Sequence, residues 1–185
     1  GVRLGVIMLC HENLGLAARM ARIWSDGGAQ VIMHVDAKAS DDAVEGVKKA
    51  LDGTGTLYAP RRSCTWGTFS LVAATLDAAA QLLEAHPDVT HVFLASGACL
   101  PLRPVDELRR FLASYPEADF IESVSVRDVG WTVGGLNEER FTLHFPFSFR
   151  RHRKLFDRYV RLQRRLGVAR PIPQGVKPHI GSQWW

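Results

Sequence analysis

Three short stretches place ligand-binding residue types close to apolar segments. Asp36 follows the apolar run 30–35, and Ser96 and Gly97 follow a second run, 89–94. Trp66 and Gly67 lie between these runs and precede an Ala-rich segment with helical spacing. In open α/β sheets, ligands bind off the carboxyl ends of the strands. The spacing therefore predicts a ligand site at Ser96 to Pro101, with the rest of the chain forming its walls.

Asp36 is compatible with two roles. At the carboxyl end of a strand, a carboxylate can bind the ribose or base of a nucleotide. An aspartate there can also cap the helix that begins near Ser40, or complete a turn. Position alone does not separate these roles. Trp66 is open in the same way, between a ligand wall and a core residue.

Several kinds of site are excluded by their missing motifs. The chain lacks the glycine pattern of dinucleotide sites and the phosphate loop of nucleoside triphosphatases. It also lacks zinc-ligand spacing and the Gly-x-Ser-x-Gly elbow of serine hydrolases. No two aspartates are two positions apart, so the Asp-x-Asp pair that holds a metal against a sugar-nucleotide pyrophosphate is absent. We therefore expect a nucleotide-compatible site without a metal.

Composition predicts one domain with a sizeable core. The chain has 185 residues, of which 46% are hydrophobic and 23% charged. The cysteines, Cys10, Cys64 and Cys99, form neither a metal-binding spacing nor an even set, which favours reduced thiols. The first residue is not Met and the last two are Trp184 and Trp185, so we expect a fragment of a longer protein.

The positive charge is concentrated in one late segment. The formal net charge is +4, and Arg150 to Arg165 carries eight arginines and lysines against Asp157 alone. This pattern is typical of a solvated helix face. It also fits contact with nucleic acid, an anionic membrane or a phosphate-bearing ligand.

Hydrophobic periodicity predicts an alternating α/β order. One broad apolar face is expected on the helix after Trp66, formed by Leu71, Ala74, Leu76, Ala78, Leu82 and Leu83. Glu122 lies inside a predicted strand, either on a wet face or in a cleft. The predicted strands are 2–10, 30–35, 56–59, 89–94 and 119–126, and the other predicted helices are 14–24, 40–51, 105–113 and 150–166.

Five segments in order resemble the core-2/I-branching glycosyltransferases, a family that includes β-1,6-N-acetylglucosaminyltransferases and peptide O-xylosyltransferases. They are His34-Val35-Asp36, Trp66 to Leu71, Ser96 to Leu102, Phe120-Ile121-Glu122 and Gly181 to Trp185. The resemblance implies an α/β, GT-A type fold with a mostly parallel central sheet, helices on both faces and a Rossmann-like first half. It implies a single domain, with residues 1–100 as the nucleotide-binding half and 101–185 as the start of the acceptor-binding half.

The resemblance also implies two sets of binding residues. The set expected to bind the donor nucleotide is Leu9, His11, Asp36, Trp66, Gly67, Ser96 and Gly97. The set expected to bind the acceptor is Glu122, Arg140, Gly181, Ser182, Gln183 and Trp184.

The implied reaction is an inverting, metal-independent transfer from a UDP-sugar to a glycan hydroxyl, with N-acetylglucosamine as the first choice. The alternatives are transfer from UDP-xylose to a peptide, or a non-catalytic binding module of the same fold. Cys99 stands where many members carry an acidic residue. The family's general base, and the basic residues that replace a metal at the pyrophosphate, are expected beyond Trp185. Residues 1–185 alone are therefore expected to bind the donor weakly and not to catalyse transfer.

The implied partners are a UDP-sugar and a glycan or glycoprotein acceptor, with no nucleic acid. Peripheral membrane association is expected through the basic segment Arg150 to Arg165. Composition favours a bacterial-like cytoplasmic protein acting on a surface polysaccharide, and the Golgi lumen is the alternative for a eukaryotic source.

Overall fold

The computed structural model describes residues 1–128, 136, 138–146 and 151–181. The chain forms two compact units. The first is Gly1–Phe120, and the second contains the described residues from Ile121 onward. Helix 105–113 belongs to the core of the first unit. The functional division at residue 100 stays a prediction.

The first unit alternates strands and helices, as the periodicity predicts. The predicted strand 56–59 is shorter in the structure, and the helix predicted to end at residue 24 continues to Asp26. Its elements in chain order are β1 (Leu4–Cys10), α1 (Leu14–Asp26), β2 (Gln30–Val35), α2 (Asp41–Ala50), β3 (Leu57–Tyr58), α3 (Phe69–Ala85), β4 (His91–Ser96) and α4 (Val105–Ala113).

The four strands form one parallel sheet in the order β3-β2-β1-β4. The central strand β1 is buried along its whole length. This explains its continuous apolar sequence, because a parallel strand covered on both faces has no solvent side. The predicted α/β fold with a parallel sheet is confirmed.

Two apolar clusters cover the two faces of the sheet. On one face, Met8 and Met33 pack with α1, α2 and α4. On the other face, Ile7 and Ile32 pack with α3. Alternate residues of each strand point to opposite faces, so neighbouring residues of β1 belong to different clusters.

Helix α3 differs from its predicted apolar face. Leu71, Ala74, Ala78 and Leu82 face the sheet cluster, but Leu76 is 57% exposed and Leu83 is 43% exposed. The helix contains four leucines and many alanines, so the apolar face predicted from the sequence is wider than the face that packs on the sheet. Small alanines let the helix lie close to the strands, and the arc that contacts them is narrow.

The second unit contains little regular structure among its described residues. The predicted strand 119–126 is wrong in extent: only β5 (Val124–Ser125) is a strand, paired antiparallel with β6 (His179–Ile180). Residues 120–123 have no regular structure. Periodicity suggested a longer strand, but in the part of the chain that the structure describes the ladder pairs only Val124 with Ile180 and Ser125 with His179.

The described residues of the second unit also form two helices, α5 (Glu139–Thr142) and α6 (Arg153–Leu166). The start predicted for α6 at Arg150 lies outside the described residues. Gly167 ends α6 with a φ of 63°, the left-handed conformation that glycine adopts readily.

Candidate functional site

The carboxyl ends of β1, β2 and β4 lie side by side. Cys10 is in register with Val35, and Leu9 with Ser96. Two backbone hydrogen bonds extend this alignment beyond the strands. The Asp36 amide donates to the Cys10 carbonyl at 2.8 Å, and the Gly97 amide donates to the Leu9 carbonyl at 3.1 Å. Positions 36 and 97 therefore flank the end of β1 at one edge of the sheet.

The Asp36 carboxylate is buried, with 3% of the residue exposed, and binds backbone on both sides. Its Oδ1 accepts from the Lys38 amide at 2.8 Å and its Oδ2 from the Cys64 amide at 3.0 Å. Burial acts to raise the pKa of Asp36, but these two hydrogen bonds and the nearby Lys38 charge together lower it. Asp36 therefore completes a turn and ties it to residue 64. Ser40, whose hydroxyl accepts from the Ala43 amide, is the cap of α2.

Residues 61–65 are held against the end of β2 by a second buried group. The Arg62 amide donates to His34 Nε2 at 2.9 Å, and the Arg62 carbonyl accepts from Ala37. Burial lowers the pKa of His34, although the negative charge of Asp36 opposes this shift. The neutral imidazole is the form that can accept from the Arg62 amide, because a protonated ring has no acceptor nitrogen. The Arg62 side chain pairs with Asp77 of α3.

Arg61 binds the turn that follows β2. Its guanidinium donates to the carbonyls of Asp36 and Ala37 at 3.2 Å each, and also to the Ala39 carbonyl. The other terminal nitrogen pairs with Asp41 at 2.9 Å. These bonds fix the turn 36–39 and satisfy carbonyl groups that face away from the sheet.

Trp66 extends from the segment that Asp36 holds. Its side chain is 62% exposed, so the core alternative for Trp66 is wrong. Gly67 has a φ of 76°, a backbone conformation that other residues rarely adopt. Thr68 then caps α3 by accepting from the Ser70 amide. The structure thus places an exposed indole two residues beyond the Asp36–Cys64 hydrogen bond.

Ser96 and Gly97 form the wall after β4. The Ser96 hydroxyl accepts from the Ala98 amide at 3.3 Å and lies 3.3 Å from Cys99 Sγ. A Cβ on Gly97 would lie 2.9 Å from the Cβ of Ala17, so α1 packs too closely for a larger residue. Gly97 therefore has a packing role, whatever it contributes to a ligand site. Cys99 is half-buried, and its carbonyl accepts from the Trp24 indole at 3.3 Å.

The two predicted residues at the end of β1 differ in exposure. Leu9 is buried in the cluster shared with α3, so only its backbone can take part in a site. His11 is exposed, and its ring lies 3.5 Å from Glu12. Cys10, between them, is buried, and burial raises the pKa of its thiol to about 12. This thiol acts as an apolar side chain.

Two depressions in the first unit are lined by residues other than the predicted donor set. One, of about 280 Å³, is lined by Val35, Arg61, Tyr58 and parts of α2. The Tyr58 hydroxyl and Arg61 Nε are buried there without a hydrogen-bond partner in the described chain. The other, of about 690 Å³, lies between Gly27–Gly28 and residues 101–109. Neither depression is lined by Asp36, Trp66 or Gly97.

Among the predicted acceptor residues, Glu122 and Gly181 lie together. Pairing of β5 with β6 brings them into contact, and a Cβ on Gly181 would overlap the Glu122 carbonyl oxygen. The Ser123 hydroxyl lies 2.8 Å from His179 Nδ1 across the same pair. Glu122 is exposed and stands outside a strand, which corrects the prediction of a strand residue.

Arg140 is on α5, where its Nε donates to the Leu136 carbonyl at 3.0 Å. The remaining predicted acceptor residues, Ser182, Gln183 and Trp184, lie outside the described residues. The roles predicted for the donor and acceptor sets stay predictions.

Three residues that hold the predicted donor-binding segments in place were not among the predicted site residues: His34, Arg61 and Asp77. His34 carried a usable signal, because a polar residue interrupts an otherwise apolar buried strand. Arg61 and Asp77 carried none, because their partners are distant in sequence.

No group of three or more His, Cys, Asp or Glu is arranged to hold a metal ion in the described part of the chain. The helices described there are also too short or too polar to cross a bilayer.

A four-stranded parallel sheet flanked by helices, with polar residues at its carboxyl edge, is consistent with a GT-A-like glycosyltransferase fold. The model of the core-2/I-branching enzyme family matches residues 6–185, and the chain belongs to that family. Membership implies glycosyltransferase activity, with a sugar donor and a glycan acceptor. Comparison with curated proteins gave no match.

Proposed function

We propose that the protein is an inverting glycosyltransferase that moves N-acetylglucosamine from its UDP-sugar to a glycan hydroxyl without a divalent metal. The supporting observation is that Asp36 and Gly97 flank the end of β1, and that Asp36 also accepts from the Cys64 amide, two residues before Trp66. Transfer from UDP-xylose is the alternative, and no described residue favours one sugar.

In this proposal the nucleotide binds at the carboxyl edge of the sheet beside Asp36, Trp66 and Gly97, which we call the donor edge. The Trp66 indole provides a flat apolar surface for the uracil ring. Aromatic stacking of this kind contributes about 1–3 kcal/mol per base. Asp36 acts by fixing Cys64 and the turn 36–39. Arg61 and His34 position the same two segments from behind.

The chemistry requires two further contributions. A general base removes the proton from the acceptor hydroxyl as its oxygen attacks the anomeric carbon from the face opposite the diphosphate. The bond from that carbon to the diphosphate oxygen breaks, and cationic groups stabilise the departing UDP. We assign neither role to a described residue.

Calorimetric titration of the protein with UDP, with and without EDTA, tests the proposal. We expect saturable UDP binding that EDTA does not change. Absence of UDP binding would refute the proposed donor class, and loss of binding in EDTA would refute metal independence. Competition of UDP-N-acetylglucosamine and of UDP-xylose against bound UDP separates the two donors, because residues 1–185 alone are not expected to catalyse transfer. In a longer chain that includes the expected general base, binding without transfer to any glycan or peptide acceptor would favour the non-catalytic module.

Trp66→Ala is the sharpest variant because the side chain is exposed. We expect a loss of about tenfold or more in UDP affinity, because the stacking surface is removed. Trp66→Phe should restore most of the affinity. Leu83→Ala, which removes an exposed apolar side chain at the other end of α3, is the matched control. Equal affinities for Trp66→Ala and Leu83→Ala would place the nucleotide elsewhere.

A further inference from the structure

Charge is divided unequally between the two units. Residues 1–120 carry 11 Lys and Arg against 14 Asp and Glu, a net charge of −3. Residues 121–183 carry 12 against 5, a net charge of +7. The modest overall charge therefore hides a strongly basic second unit. Such a unit attracts anionic surfaces over a distance set by ionic strength.

Contacts within the second unit determine which side of α6 faces outward. Val160 and Gln163 are buried on its inner side. The Gln163 side-chain Oε1 accepts from the His144 backbone amide at 2.8 Å, and its Nε2 donates to the His144 carbonyl at 2.9 Å. Phe156 stacks on Phe145 with ring centroids 5.3 Å apart. These contacts fix the rotation of the helix about its own axis.

The cations of α6 form two groups. On one side, Arg164 pairs with Glu139, and Arg153 lies 3.9 Å from Asp157. The second group, which we call the cationic stripe, follows helical spacing along the outward side and consists of Lys154, Arg158, Arg161 and Arg165. All four are exposed, and within the described chain none of them pairs with a carboxylate.

An apolar row runs beside the cationic stripe. It consists of Leu155, Leu162 and Leu166, which are 48%, 49% and 65% exposed. Their spacing places them on one side of the helix, between the cationic stripe and the inner contacts. Transfer of these exposed leucine side chains from water to an apolar environment lowers the free energy.

We propose that the outward side of α6 is a docking surface for an anionic lipid bilayer. The cationic stripe matches acidic headgroups in charge, and the leucine row can enter the boundary between headgroups and acyl chains. An amphipathic helix lying in the interface combines these two features. Nucleic acid fits less well, because phosphate contacts use the cations and leave the three leucines in water. This inference does not rest on the proposed glycosyl transfer.

Flotation with phosphatidylcholine vesicles, with and without phosphatidylglycerol, tests the docking surface. We expect binding only to the vesicles that contain phosphatidylglycerol, weakening as salt is added. Arg158→Gln/Arg161→Gln should lower the partition coefficient about 30-fold, which corresponds to about 1 kcal/mol per cation. Arg158→Lys/Arg161→Lys keeps the charge and should retain binding.

Two more variants separate lipid docking from general charge attraction. Arg103→Gln/Arg110→Gln removes the same charge from exposed positions in and before α4, and should bind as the parent does. Leu155→Ser/Leu162→Ser should lower the partition coefficient about tenfold, because less apolar surface enters the bilayer. Thermal melting of each variant checks that the fold is retained.

Three results would overturn the proposal. The first is no binding of the parent protein to phosphatidylglycerol vesicles. The second is an equal loss in the α6 and α4 charge variants. The third is tighter binding to a DNA duplex than to vesicles, together with leucine variants that behave as the parent does; this result would make α6 a nucleic-acid surface.

Discussion

Asp36 and Gly181 are motif residues at which the surrounding backbone restricts the residue type. Position 36 requires a hydrogen-bond acceptor, and position 181 has no room for a side chain. Both oxygens of Asp36 accept from backbone amides, and Gly181 leaves room for the Glu122 carbonyl. In each case a family motif coincides with a structural requirement. Substitution at such a position changes the fold and the site together, so loss of function alone would not establish contact with a ligand.

Gly181→Ala should destabilise the pairing of β5 with β6. The new methyl group would overlap backbone rather than a flexible side chain, so the two strands must move apart. We expect faster hydrogen exchange of the Val126 amide, which donates to the Pro178 carbonyl at 3.3 Å. Gly46→Ala is the matched control, because its Cβ would meet nothing within 4 Å and it lies within α2. That change should stabilise the protein by about 0.5–1 kcal/mol. Unchanged exchange in Gly181→Ala would show that the close approach is absent in solution.

At the scale of the elements, α3 joins two surfaces of different character. Its inner side packs on the sheet through small residues, and its outer side exposes Phe69, Val72, Leu76 and Leu83. The segment that carries Trp66 leads directly into α3, and Asp77, halfway along the helix, pairs with Arg62. The helix therefore connects the donor edge to the core.

Leu82→Ala and Leu76→Ala test this division on one helix. Leu82 is fully buried against the sheet, so truncation should cost about 2–5 kcal/mol of the free energy of unfolding. Leu76→Ala is the same chemical change at an exposed position, and it should lower the free energy of unfolding by about 0.5 kcal/mol or less. Urea denaturation of both variants gives the two values. A cost for Leu76→Ala as large as that for Leu82→Ala would mean that another surface covers the outer side of α3.

At the scale of the whole molecule, two buried ionisable groups, His34 and Asp36, and the half-buried Glu139 link the stability of the fold to pH. Burial lowers the pKa of His34, so the unfolded chain binds that proton first as pH falls. The pKa of Asp36 is lowered by its amide hydrogen bonds in spite of burial, and that of Glu139 by its hydrogen bond from Arg164. In all three cases the unfolded state holds more protons in the relevant range, and stability falls with acid.

We therefore expect the melting temperature to fall in two pH windows. As the pH falls, the first window begins at about pH 6.5, the ordinary pKa of histidine, and ends at the lowered pKa of His34. The second begins near about pH 4 and continues through the lowered pKa values of Asp36 and Glu139. His34→Gln, which keeps an acceptor for the Arg62 amide, should remove the first window and leave the second. A parent melting temperature that stays constant through the upper window would contradict this assignment.

Local pattern predicted much of the first unit. Continuous apolar runs identified β1 and β2, because parallel strands buried on both faces need no polar side. Ser40 with Asp41 and Asp42 marked the start of α2, because a side-chain cap and the helix dipole act within one turn. The ordered motifs also predicted the family and the order of its segments along the chain.

Other features depend on partners that are distant in sequence, and only the tertiary structure decided them. The sequence by itself determined the order of strands and helices in the first unit and the basic block, since these follow from local spacing and charge, but strand ends shifted: the strand predicted at 89–94 lies at His91–Ser96. It did not determine that Asp36 binds Cys64, that His34 accepts from Arg62, or that Leu76 and Leu83 point outward. It also predicted a long strand at 119–126, where strand pairing among the described residues is limited to Val124 and Ser125. The physical reason is that burial, and the pairing of a donor with an acceptor, are properties of two segments together, whereas periodicity describes one.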